Sequence, residues 1–178
     1  MTIISLPERH IPASIHHDLD GVHADFYGRA AKLLGKPYKG TPPAEAWAVL
    51  ERVPHLFRDL EPLSDSQTLW RALQGCGLPQ EVLTAMPQPT GLLTTVDADK
   101  RGWVARHLSP TAPVTTVANG PAKALYAGPG RVLIDDIQRN IDMWIAAGGI
   151  GILHVSAEDT LAQLAALGVR VTLTTAAA

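Results

Sequence analysis

Apolar and polar residues alternate along this chain in short blocks, and the blocks change character near residue 78. Before that point one short apolar run, ASIHH at 13–17, reads as a strand and is followed by helical patterns. FYGRAAKLLG at 26–35 suits a helix stopped by Gly35, and Pro42-Pro43 opens a second, AEAWAVLERV, with Ala46, Val49, Leu50 and Val53 on one face. Asp65 is placed to cap a third helix through Leu73, ending at Gly75 and Gly77. After residue 78, strand-like runs alternate with helices: EVLTA (81–85), a helix over 97–107, PVTTV (113–117), a helix around 122–126, RVLIDD (131–136), a helix over 139–147, GIGILHV (149–155), a helix over 157–167, and VRVTLTT (169–175). Such alternation predicts a parallel sheet wrapped by helices, an α/β/α three-layer domain. The helical stretch then reads as an insertion after the first strand. The expected division is an N-terminal arm (1–12), a core (13–25 and 78–178) and a small helical cap (26–77), with Ala176-Ala177-Ala178 frayed.

Composition changes this picture little. The 178 residues, 46% apolar and 18% charged, suit one packed domain. A net charge of -2 argues against a stable nucleic-acid partner or a membrane-surface patch. Cys76 stands alone, so no disulfide forms within the chain. No segment has the length of a membrane span and the start lacks the layout of a signal peptide, so a cytoplasmic location is the default expectation.

Candidate chemistry follows from where the strands end, because open parallel sheets bind ligands at their carboxyl edges. The first strand runs into Asp18-Leu19-Asp20-Gly21, the next ends at Thr84-Ala85, RVLIDD ends at Asp135-Asp136, and Lys123 opens the short helix before it. Carboxylates crowded on one edge need a cation, and hard oxygen ligands suit Mg²⁺. With Lys123, that ion would neutralise a phosphate. Asp18 is then the candidate nucleophile, Asp20 the acid and base, Thr84, Ala85 and Lys123 the phosphate ligands, and Asp18, Asp20, Asp135 and Asp136 the metal group. Each piece has a plainer reading. Asp-x-Asp is common in loops, Asp135-Asp136 can cap a helix, and Thr84 and Lys123 are ordinary alone. An EF-hand is disfavoured because Gly21 falls at the fourth loop position, where that loop needs glycine at the sixth.

In this order DLDGV (18–22), VLTA (82–85), Lys123 and VLIDD (132–136) resemble the four motifs of the haloacid dehalogenase-like hydrolase superfamily. DLDGVHADF, VLTAMP, DKRGWV (99–104) and LIDDIQRNIDMWIAAGGIGILH (133–154) are similar to its 5'(3')-deoxyribonucleotidase group. The resemblance implies hydrolysis of nucleoside monophosphates through an aspartyl-phosphate. It implies Mg²⁺ held by the Asp18 and Asp135 side chains with the Asp20 carbonyl, Asp136 acting further out, and a helical cap over the base. Phe26, Trp47, Phe57 and Trp70 are the cap aromatics able to stack on a base, or alternatively to pack the cap's own core. Arg139 and Asn140 are expected to hold a helix start. His16, His17 and His23 depart from the group's apolar pattern; they read as satisfied core residues, or His17 and His23 as modulators of the site. Another phosphomonoester, such as a sugar phosphate or a nucleic-acid 3'-phosphate, and a nucleotide-binding module without turnover stay open, as does a homodimer.

Overall fold

The computed structural model describes residues 11–87 and 91–172. Five strands, β1 (Ser14–His17), β2 (Gln80–Ala85), β3 (Val114–Val117), β4 (Arg131–Asp135) and β5 (Ile150–Leu153), form one wholly parallel sheet in the order β3-β2-β1-β4-β5. The helices are α1 (Phe26–Leu34), α2 (Pro43–Leu50), α3 (Ser66–Gln74), α4 (Val96–His107), α5 (Gln138–Ala146) and α6 (Ala157–Ala166), with a short 3-10 helix at Gly120–Tyr126. The alternation of strand and helix thus builds the α/β layering expected from the pattern. Both faces of such a sheet are covered, which is why Val132, Leu133 and Ile134 of β4 are all buried.

The order of strands reverses at β1, whose neighbours are β2 on one side and β4 on the other. A crevice opens at such a switch point. β1 ends at His17, so the next residue, Asp18, enters that crevice.

Local chemistry sets the helix ends. Asp25 accepts from the Gly28 N–H at 2.8 Å, and Gly35 ends α1 in the left-handed conformation with φ 69°. Pro43 lies in the first turn of α2, where its missing N–H costs nothing. Asp65 is the N-cap residue of α3, but its side chain makes no cap bond there; its carboxylate crosses to accept from Ala157 N at 2.7 Å, at the start of α6. Val49, expected on the inward face of α2, is exposed, while Ala46 and Leu50 are buried.

The helical stretch between β1 and β2, expected as an inserted cap, packs in two places. α1, α2 and the 54–60 segment share a cluster containing Phe26, Ala46, Leu50 and Phe57. α3 instead turns Leu69, Ala72 and Leu73 onto a sheet face beside Leu161 and Leu164 of α6. The expected last strand, 169–175, is not a strand over residues 169–172, where Thr172 N–H donates to Ala72 O of α3. Its remaining residues, most of the expected arm (1–10) and the terminal alanines lie outside the described residues. Among the described residues no helix is long and apolar enough to cross a membrane.

Candidate active site

Asp18 and Asp135 leave the ends of adjacent strands, β1 and β4, and Lys123 lies between their carboxylates. Its Nζ is 2.7 Å from Asp18 Oδ1 and 2.6 Å from Asp135 Oδ2. Lys123 is almost wholly buried. Burial alone would drive its proton off, but the charges of Asp18 and Asp135 outweigh that and hold its pKa above the ordinary lysine value. Asn140, on the first turn of α5, donates to both oxygens of Asp135 at 3.1 and 3.0 Å. The Ile137 N–H donates to Asp135 Oδ1 at 2.8 Å. Asn140 therefore holds Asp135 in place; the helix start expected of it has no side-chain cap, its N-cap residue being Ile137. Gly120 is needed for it, because a Cβ there would come within 2.6 Å of the Asn140 amide.

A second lysine was not among the residues singled out by position in the sequence. Lys100 of α4 is fully buried, and its Nζ lies 2.5 Å from Asp20 Oδ2, 2.9 Å from Thr84 Oγ1 and 2.9 Å from Ala85 O. It also stands 4.6 Å from the centre of the Phe57 ring, a cation–π contact with the insertion. The segment DKRGWV carried it, but nothing in a helical lysine announces burial. Thr84 is itself buried and occupied by this lysine.

Asp18, Asp135 and Asp136 each present an oxygen to one spot, with the three atoms within 4.8 Å of one another. Burial, then the charge of Asp18, lifts Asp136 to about 7 and Asp135 to about 6. Asp136 Oδ1 and Asp20 Oδ1 are buried without a hydrogen-bond partner among the described residues. Orphaned, crowded oxygens of this kind fit a hard divalent cation such as Mg²⁺. Gly21 leaves the space: its φ is +86°, and a Cβ would come within 2.6 Å of Asp136. Asp20 is half-buried, and burial raises its carboxyl, partly offset by Lys100.

A cavity of about 340 Å³ opens over these groups. Asp18, Asp20, Ala85 and Lys123 form its floor, and Phe26, Tyr27, Tyr38, Trp47 and Phe57 of the insertion form the opposite wall. Tyr27 and Tyr38 were not anticipated. Of the four aromatics expected to face a ligand, Trp70 alone does not line the cavity; it is buried against the rings of His17 and His23, 5.3 and 6.0 Å away. Arg139 lines the mouth, although only a role at the helix start was expected of it.

Two of the histidines that broke the expected apolar pattern, His17 on β1 and His23 in the turn after it, are accounted for by polar partners. His17 and His23 meet at 3.1 Å between Nδ1 and Nε2. His23 Nδ1 lies 3.0 Å from Ser66 Oγ, and His17 Nε2 lies 3.3 Å from Gln80 Oε1. Burial pushes His17 down to about 3 and His23 well below the usual histidine value, so both rings are neutral.

No family model matches the chain, and no curated protein does. Solved structures do. A hydrolase from Streptococcus pneumoniae TIGR4 superposes with a TM-score of 0.56 at 13% identity, over 89% of this chain and 100% of that one. A HAD family hydrolase from Deinococcus radiodurans R1, solved with bound phosphate and sodium, superposes with a TM-score of 0.51 at 18% identity, over 93% of this chain and 92% of that one. A haloacid dehalogenase-like family hydrolase from Streptococcus pneumoniae gives 0.51 at 13% identity, over 85% and 90%. In this HAD-like fold the four stretches that resemble the superfamily's motifs converge on one edge of the sheet.

Proposed function

We propose that the chain is a Mg²⁺-dependent phosphomonoesterase acting on nucleoside or deoxynucleoside monophosphates, in the manner of 5'(3')-deoxyribonucleotidases. One observation carries the reading: Lys123 bridges Asp18 and Asp135 while a second buried lysine, Lys100, holds Asp20, also on the cavity floor, against Thr84. Two cations and four carboxylates clustered where Asp18, Asp20 and Lys123 line the cavity suit a phosphoryl group, and a neighbour of the same fold holds phosphate.

In this reading Asp18 attacks phosphorus and the ester P–O bond breaks. Asp20 gives its proton to the leaving oxygen; its raised pKa suits that role. Asp20 then takes a proton from water, which attacks phosphorus and releases Asp18 from the aspartyl-phosphate. Lys123 steadies the phosphate charge. Asp18, Asp135 and Asp136, with the Asp20 carbonyl that the resemblance adds, would hold Mg²⁺, which when bound neutralises charge on the transferring group. Trp47, Tyr27 and Tyr38 supply flat surfaces for a base.

A smaller phosphomonoester, such as a sugar phosphate, is the second reading. It is favoured by Phe26 and Phe57, which stack on each other with planes 5° apart and so turn part of the aromatic wall inward. Phosphate release from deoxynucleoside and ribonucleoside monophosphates, nucleic-acid 3'-phosphates and sugar phosphates, with Mg²⁺ present, separates the readings. Deoxynucleoside monophosphates should lead; faster turnover of sugar phosphates would displace the nucleotide assignment, and no turnover of any would leave a binding module.

A further inference from the structure

At the opposite edge of the sheet, Ser14, His16 and Glu81 form a second polar constellation that the phosphatase reading does not use. Ser14 Oγ lies 3.0 Å from His16 Nε2, and His16 Nδ1 lies 2.6 Å from Glu81 Oε1. The two partners occupy different nitrogens of one ring. With Nδ1 donating to the carboxylate, Nε2 is free to accept the serine proton. We propose that Ser14, His16 and Glu81 form a serine–histidine–carboxylate relay that hydrolyses small carboxylic esters.

The sheet itself places the three groups. Ser14 and His16 are two apart on β1 and so share a face, and His16 is the register neighbour of Glu81 on β2. His16 is buried and tilted against the Trp144 ring at 5.3 Å, which fixes its plane. Glu81 is anchored by Thr115, whose hydroxyl donates to its other oxygen at 3.3 Å. The hydrogen bond to His16 holds the Glu81 carboxyl below the usual range, so it stays ionised, as an orienting carboxylate must.

All three residues line a cavity of about 410 Å³, whose other walls include Pro79, Tyr126 and Arg131. A histidine–glutamate pair kept only for stability needs neither a hydroxyl on the second nitrogen nor a cavity in front of it. Arg131 is the register partner of Ser14 on β4, and its Nη1 donates to Tyr126 O at 2.7 Å. That bond holds a fixed positive charge beside the cavity, where a carbonyl oxygen turning anionic can use it.

The chemistry balances without a further reactant. Ser14 Oγ bonds to the ester carbonyl carbon as its proton passes to His16 Nε2, and the carbonyl electron pair moves to oxygen. Collapse breaks the bond to the alcohol oxygen, which leaves with the proton from Nε2. Water repeats the sequence, releasing the acid and restoring Ser14.

The test uses the intact chain, an alkyl fluorophosphonate as active-serine probe and p-nitrophenyl butyrate as ester. One adduct mapping to Ser14 by peptide mass spectrometry is expected. Ester hydrolysis should fall at least tenfold in S14A and in E81Q, and stay within twofold of wild type in D18N, with circular dichroism confirming each fold. No adduct on Ser14, or S14A hydrolysing the ester at the wild-type rate, overturns the proposal. The adduct is read on the unaltered chain, so it decides the question even where a variant fails to fold.

Discussion

Two buried polar clusters sit back to back at the end of β1, and they are built on opposite principles. Asp18 begins one and His17, its chain neighbour, anchors the other. The histidine cluster closes on itself: His17, His23, Ser66 and Gln80 satisfy one another, and burial keeps both rings uncharged. The acidic cluster does not close. It carries charge on Lys123 and Lys100, and among the described residues it leaves Asp20 Oδ1 and Asp136 Oδ1 without hydrogen-bond partners. A closed neutral network contributes order to the core; an open charged one leaves buried polar atoms that, in the proposed reading, a cation and an anion would satisfy. The contrast sets an open charged cluster beside a closed neutral one, one residue apart.

The largest expected effect lies on the open side. Asp18→Asn should lower phosphate release by about a thousandfold or more while leaving the melting temperature close to wild type. A variant retaining near-normal turnover would remove Asp18 as nucleophile. Chelation should have a comparable effect, since three carboxylates converge there. Full activity in excess EDTA would take Mg²⁺ out of the account.

Next comes Lys100→Met, which frees the Asp20 carboxylate and Thr84 together. If Lys100 positions the acid, turnover of alkyl phosphates should fall by about a hundredfold, and that of p-nitrophenyl phosphate, whose leaving group needs no proton, much less. Equal losses on both substrates would reduce Lys100 to a packing role.

Mg²⁺ should also raise the melting temperature, and more so at pH 8 than at pH 5.5. Asp135 and Asp136 are lifted to about 6 and about 7, so at low pH protons already relieve their repulsion and compete with the ion. A Mg²⁺ shift that is larger at pH 5.5 would break this half of the comparison.

The smallest effect belongs to the closed side. His17 titrates near 3 when folded and near 6.5 when unfolded. Between those values the unfolded chain binds more protons. The stability associated with the neutral ring is therefore full above pH 6.5 and is lost as the pH falls toward 3. His23 acts in the same sense. Asp135 and Asp136, raised when folded, work the other way over part of this range, so only a difference between variants isolates the histidines. His23→Gln should flatten the acid slope by up to about 1.4 kcal/mol per pH unit and change phosphate release only a few-fold. An unchanged slope with collapsed activity would show that the two clusters are one.

Much of this was legible in the residues because it depends on local period and on chain order. Strand runs bounded by turns located β1 through β5 to within a residue or two, and residues at strand ends necessarily meet along one edge of a parallel sheet. That is why Asp18, Asp20, Lys123 and Asp135 come together. The expected last strand failed where a period-2 pattern met a different partner: Val169 is buried among α3 and α6 residues, and Thr172 N–H bonds to Ala72 O of α3.

What the sequence determined by itself, then, is the element order and the carboxyl-edge location of the acidic groups, because each follows from neighbours along the chain. What only the tertiary structure decided are the meetings between residues far apart in sequence. Lys100 reaches Asp20 across 80 residues, His16 finds Glu81 across 65, and Trp70 turns to the histidines instead of the cavity. Period fixes which face of an element is apolar, but the partner that covers a buried charge or ring is chosen by how the layers stack, and no local pattern encodes that choice.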